Sequence, residues 1–155
     1  MGVETPDNRP EHLFPPFNAK LQAAIALANH DTAGKFDHFD HWALFEGYRS
    51  QARQEWLYAQ GRTRPGAIVT YKRGVSGYHP RGLAGDVVWY DHSGTPHWDG
   101  PAALWAILGH CARANGLIWG GDWQMADLPH IQPNDANLVS WAGPAKAHMQ
   151  SLGLA

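Results

Sequence analysis

The run Ser76-Gly77-Tyr78-His79-Pro80-Arg81-Gly82-Leu83-Ala84-Gly85-Asp86, followed later by Asp127-Leu128-Pro129-His130, holds the strongest set of chemical groups in the chain. A catalytic zinc typically takes three protein ligands from His and carboxylate and leaves one position open. His79 and Asp86 are joined by a stretch with Gly82 and Gly85, which lets the backbone fold both side chains onto one ion. His130 would add a third ligand from a distant segment. Asp127 lies three residues before His130, and Pro129 stiffens the link by fixing its own φ and biasing Leu128 towards extended geometry. That link suits a carboxylate held beside the metal as a general base rather than as a ligand.

Each of these residues has a plainer reading. A single His is more often a surface or core residue than a ligand. Asp86 is less ordinary, because it sits among Ala84, Val87, Val88 and Trp89, where an unpaired charge is costly. It requires a metal, an arginine or backbone donors, and spacing alone leaves all three open. A rival cluster, Asp37-His38-Phe39-Asp40-His41, reads as a solvated turn. His92, His97 and Asp99 flank a loop and are assigned no chemistry. Cys111 is the one cysteine, so no intrachain disulfide forms, and its apolar helical surroundings make it an inert buried thiol.

The elements that must position these groups follow from periodicity and turn chemistry. Residues 1–18 are proline-rich and read as an extended arm. Helices are expected over 19–29, over 51–59 with Gly61 closing it, from Pro101 to about Gly116, and over 138–152 with a start or interruption near Pro144. Strands are expected over 43–48, presenting Arg49 and Ser50 at its end, and over 83–90, which is apolar on both faces and hence central. A last short strand is expected over 129–132. Arg62 to Gly66 and Gly120-Gly121 read as turns, and Lys72 to Arg81 as a glycine-rich loop. This mixed order gives an α+β class in one domain spanning 1–155.

The chain has 155 residues, enough for a core without staples, and 44% of them are hydrophobic. Twelve basic and fourteen acidic residues argue against a general nucleic-acid binder and against a polybasic membrane anchor. No apolar run is long enough to span a bilayer, and Met1 to Asp7 lacks the features of a signal peptide. Ten histidines raise the prior for a metal site, and eight tryptophans suit either an aromatic-lined groove or a plain core.

Five stretches in order resemble the zinc carboxypeptidases and endopeptidases of the cell wall, a family that includes D-alanyl-D-alanine dipeptidases and phage L-alanyl-D-glutamate endolysins. They are Glu46 to Ser50, Leu57 to Thr70, His79 to Asp86, Gly116 to Trp123 and Asp127 to Gln132. Gln60-Gly61-Arg62-Thr63 and Trp119-Gly120-Gly121-Asp122-Trp123 resemble the endolysin branch. The resemblance implies one Zn2+ per chain on His79, Asp86 and His130, Asp127 as the catalytic carboxylate, and Arg49 facing the substrate. The expected fold is a short, mainly antiparallel sheet with flanking helices and the zinc at one side. Ser76 is a candidate substrate contact, although the family usually has Ser two residues before the first His, where this chain has Gly77. Trp119 and Trp123 are candidates for lining a groove, with a core role as the alternative.

The expected activity is hydrolysis of a peptidoglycan stem-peptide bond, L-alanyl-D-glutamate first. In that stem the chain continues through the glutamate side chain, so its α-carboxylate stands free beside the scissile bond, and an arginine fork matches a carboxylate. The alternatives are a D,D- or L,D-carboxypeptidase and a non-catalytic, Trp-rich wall-binding module, which would have no use for Asp127. The expected partner is the stem peptide alone, bound by a monomer without nucleic acid or stable membrane association. No appended wall-binding module is read. The expected location is the cytoplasm of a bacterial host, with action on the wall after release.

Overall fold

The computed structural model describes residues 2–72 and 77–154. Pro15 and Pro16 open the first helix, α1 (Pro15–Thr32), because a first turn needs no N–H from them. The arm expected over residues 1–18 is therefore shorter, and it also contains a 3-10 turn over Pro10–His12. Phe17, Leu21, Ala24, Ile25 and Ala28 form the buried stripe of α1. Strand β1 (Phe39–Glu46) begins earlier than the sequence suggests. Helix α2 (Gln51–Ala59) has the expected bounds, with the Ser50 hydroxyl accepting from the Arg53 N–H at its start. Strand β2 spans Gly85–Asp91 and helix α3 Ala102–Ala114. Strand β5 (His130–Pro133) precedes helix α4 (Asp135–Ser151), which is capped by Asn134 and carries Pro144 inside it. Two strands are too short to show a period in the sequence: β3 (Pro96–His97) and β4 (Leu117–Trp119).

These strands form one sheet in the order β1-β2-β5-β4, with β3 also paired to β2, and every pairing is antiparallel. The α+β expectation holds, and β2 is interior as its two apolar faces required. Alternation along the strands separates the faces. On the inner face, Trp42, Leu44, Val87, Trp89 and Ile131 join the core that α1 and α3 complete. Gly85 belongs to this face, where a Cβ would meet Leu21 and Leu44 at 2.9 and 3.0 Å. Its absence lets α1 close on the sheet. Asn29 of α1 brackets β1, accepting from the Trp42 N–H and donating to the Trp42 carbonyl. Asp86, Val88 and Tyr90 therefore project from the outer face of β2.

Candidate metal centre

Asp86 and His130 are direct cross-strand partners on β2 and β5, so sheet register alone brings these distant residues together. His79 arrives on a 3-10 turn (His79–Arg81) that Gly82 closes at φ 68°. The turn is fastened to the β1–α2 connection: the Arg49 N–H donates to the His79 carbonyl, and His79 Nδ1 donates to the Gly47 carbonyl at 2.8 Å. That second bond leaves His79 Nε2 free, 3.5 Å from Asp86 Oδ1. His130 is set the opposite way. Its Nε2 donates to Gln132 Oε1 at 2.8 Å, which leaves Nδ1 free, 3.7 Å from the same Asp86 oxygen.

One ligand atom from each of His79, Asp86 and His130 lies within 4.8 Å of the others, the only such group of three among the described residues. Two nitrogens and a carboxylate oxygen match the ligand chemistry of a catalytic zinc. The protein-facing ring nitrogens are already engaged, as second-sphere bonds in metal sites require. The residues therefore fit the metal.

The other oxygen of Asp86 accepts from Arg49 Nη2 at 3.1 Å. The same guanidinium donates to Glu46 Oε1 at 2.8 Å and to Gln54 Oε1 at 3.0 Å. Glu46 also pairs with Arg53, and Gln54 reaches the Lys72 carbonyl. Both the arginine and the metal foreseen as partners for Asp86 are thus provided for, one on each oxygen. Burial opposes ionisation of Asp86, but His79, His130 and Arg49 outweigh it and hold the carboxyl well below its usual range. Burial likewise disfavours a charged His130 ring, yet Asp86, Asp127 and Gln132 raise its pKa.

Asp127 stands at the rim, with its side chain 52% exposed against 18% for Asp86. Its Oδ2 lies 3.9 Å from His130 Nδ1. The loop that holds it is tight: the Asp127 N–H donates to the Gly120 carbonyl, and the His130 N–H to the Asp127 carbonyl. Partial burial and the charge of Asp86 raise the Asp127 carboxyl above its ordinary value.

The remaining candidates divide. Arg49, expected to face the substrate, has its side chain only 10% exposed and committed to Glu46, Gln54 and Asp86. Trp119 belongs to the core instead of a groove: its ring fills the space a Cβ would need at Gly109 and Gly121, and its Nε1 donates to the Leu128 carbonyl. Trp123 is 40% exposed, with its ring centroid 5.0 Å from that of His130. Ser76 lies outside the described residues. Of the rival cluster, Asp37 and His38 form the expected turn, but Phe39, Asp40 and His41 open β1, with Phe39 in the core and Asp40 pairing with His41 and His92 on the surface. Glu46, Gln54 and Gln132 are contributors that pattern reasoning did not single out. The signal for Gln132 was its place two residues after His130 on a strand, hence on the same face.

Residues 71–133 match a family model described as D-alanyl-D-alanine carboxypeptidase. Over 97 residues the chain is 40% identical to the peptidoglycan L-alanyl-D-glutamate endopeptidase CwlK of Bacillus subtilis (strain 168), covering 57% of this chain and 58% of that protein. The match thus spans less than two thirds of that relative. Two solved structures share the fold. The L-Ala D-Glu endopeptidase ChiX of Serratia marcescens is 24% identical, with 86% of each chain covered and a TM-score of 0.52. DacB of Streptococcus pneumoniae D39 is 20% identical, with 99% of this chain and 81% of that one covered and a TM-score of 0.53. The resemblance to cell-wall peptidases read from the ordered motifs is borne out.

Proposed function

We propose that the chain is a zinc-dependent peptidoglycan endopeptidase that hydrolyses a stem-peptide bond, L-alanyl-D-glutamate first. One observation carries the reading. His79 Nε2, Asp86 Oδ1 and His130 Nδ1 converge with their opposite atoms already bonded, and a rim carboxylate stands 3.9 Å from one of them. The match to CwlK supports the choice of bond. When bound, zinc supplies Lewis acidity that brings the pKa of a coordinated water to about 7.

The chain's own residues do the rest. Asp127 takes the proton from the attacking water and returns it to the departing amine, as its exposure and raised pKa suit. Arg49 holds Asp86 in one orientation and keeps it ionised. Gly47 and Gln132 select the ring nitrogens that face the ion.

The test pairs metal analysis with purified murein. About one zinc per chain is expected, a chelator should abolish release of fragments, and zinc should restore it. Fragment masses should correspond to cuts after L-alanine; release of terminal D-alanine alone would favour the carboxypeptidase alternative. Full activity in metal-free protein overturns the zinc reading, and zinc loss from His38→Ala or His41→Ala relocates the site. Use as a phage endolysin is the finer proposal, supported by the Gln60 to Thr63 and Trp119 to Trp123 stretches. In that case expressing cells should lyse once their inner membrane is permeabilised, and rapid lysis before permeabilisation overturns it.

A further inference from the structure

The outer face of the sheet does not end at the ligands. Phe45 of β1 stands at a register shift between the core residue Leu44, opposite Val87, and Glu46, opposite Asp86, which places it beside Asp86. Trp98 follows His97, which pairs opposite Trp89 and stacks on its ring. Trp98 therefore turns outward. The Phe45 and Trp98 rings meet edge to face, with centroids 4.7 Å apart at 83°. Since β1 and β3 flank opposite edges of β2, this contact bridges β2 beside Asp86. Phe45 holds the Trp98 ring in place while the residue stays 48% exposed.

We propose that Trp98 is a platform for the amino-sugar ring that carries the stem peptide being cut. This rests on the endopeptidase reading above. The stem begins with L-alanine, whose nitrogen is acylated by a lactyl group ether-linked to the sugar. The scissile carbonyl is then one residue and one lactyl unit from the ring, about 7 Å when extended at roughly 3.5 Å per unit. Continuing the β3 register one residue past His97 puts Trp98 beside Val88, two residues along β2 from Asp86, which is also about 7 Å measured along the strand. The C–H face of a pyranose is apolar and its rim polar, and an exposed, pre-positioned indole complements that pattern at low entropic cost. Trp123 lies on the β5 side of the ligands, against His130, and is left for the peptide.

The test compares kcat/KM on two probes: a disaccharide-bearing stem peptide from muramidase-digested murein, and the same stem peptide without sugar. The parent should prefer the sugar-bearing probe. Trp98→Ala should lower the ratio of the two values about tenfold, mainly through KM on the sugar-bearing probe, and Trp98→Phe should restore most of it. An unchanged ratio, an equal loss on both probes, or a ratio that falls in Trp123→Ala and not in Trp98→Ala overturns the platform. Equal cleavage of both probes by the parent overturns the platform alone. A parent that cleaves neither removes the endopeptidase reading and the platform with it.

Discussion

At the residue scale, the proposed reaction gives two neighbouring aspartates separate tasks because their surroundings differ. Asp86 accepts from Arg49 on one oxygen, faces His79 and His130 with the other and is kept ionised, whereas Asp127 is at the rim with its pKa raised. Asp127→Asn keeps the shape and removes the basicity. It should lower turnover by about a hundredfold to ten-thousandfold while zinc content and melting temperature stay near the parent values. His130→Ala should lose zinc, because a three-ligand site tolerates a missing member poorly. Full activity in Asp127→Asn places the base elsewhere. Zinc loss in that variant makes Asp127 a ligand and reopens the role of Asp86.

At the scale of elements, the loop from β4 to β5 must return within a few residues to set Asp127 beside His130. Gly120 permits this: a Cβ there would overlap the Asp127 backbone and meet His130 Cβ at 3.0 Å and Asp127 Cβ at 3.2 Å. Forced overpacking of this kind typically costs about 1–3 kcal/mol. Gly120→Ala should therefore lower the melting temperature by several degrees and reduce both zinc affinity and turnover. Gly143, in α4 with open space around it, is the contrast. Gly143→Ala should be neutral or stabilise by about 0.5–1 kcal/mol through helix propensity. Calorimetry and zinc titration check both variants, and parent-like behaviour of Gly120→Ala removes the account of the loop.

At the scale of the whole molecule, both chain ends brace the segment behind the site. The Gly47 N–H donates to the Asp7 carbonyl, Arg53 donates to the Val3 carbonyl, and the Tyr48 hydroxyl donates to the Leu154 carbonyl. The Asp7 carboxylate locks the arm through Arg9 and His12. Burial opposes its ionisation, but those bonds prevail and lower its pKa. A folded-state value below the unfolded value of about 3.9 adds stability that is fully present above that pH and is lost as pH falls through the folded value. Asp7→Asn should thus melt about 2–4 °C below the parent at pH 7, for roughly 1 kcal/mol lost. The gap should narrow as pH falls below about 3.9. A gap of constant size from pH 7 to pH 3 shows that the carboxylate charge is not what holds the arm.

The sequence by itself pointed to His79, Asp86 and His130 as candidate ligands, to Asp127 as candidate base and to the elements that bear them, because these signals are local. Glycines mark the bends around His79 and Asp86, Pro129 stiffens the approach to His130, and the apolar run after Gly85 makes an interior strand. Helix α2 was legible to its bounds for the same reason, with Gly61 after it, and the Ser50 cap at its start came from the structure. Only tertiary structure decided how remote groups share one charge or one surface. Nothing near Arg49 in sequence says that its fork closes on Asp86, a partner 37 positions away. Nothing in the spelling of Trp119 and Trp98 says which ring fills the core and which stays exposed. Those outcomes depend on strand register and on which sheet face the helices cover, and both are set by packing among segments far apart in the chain.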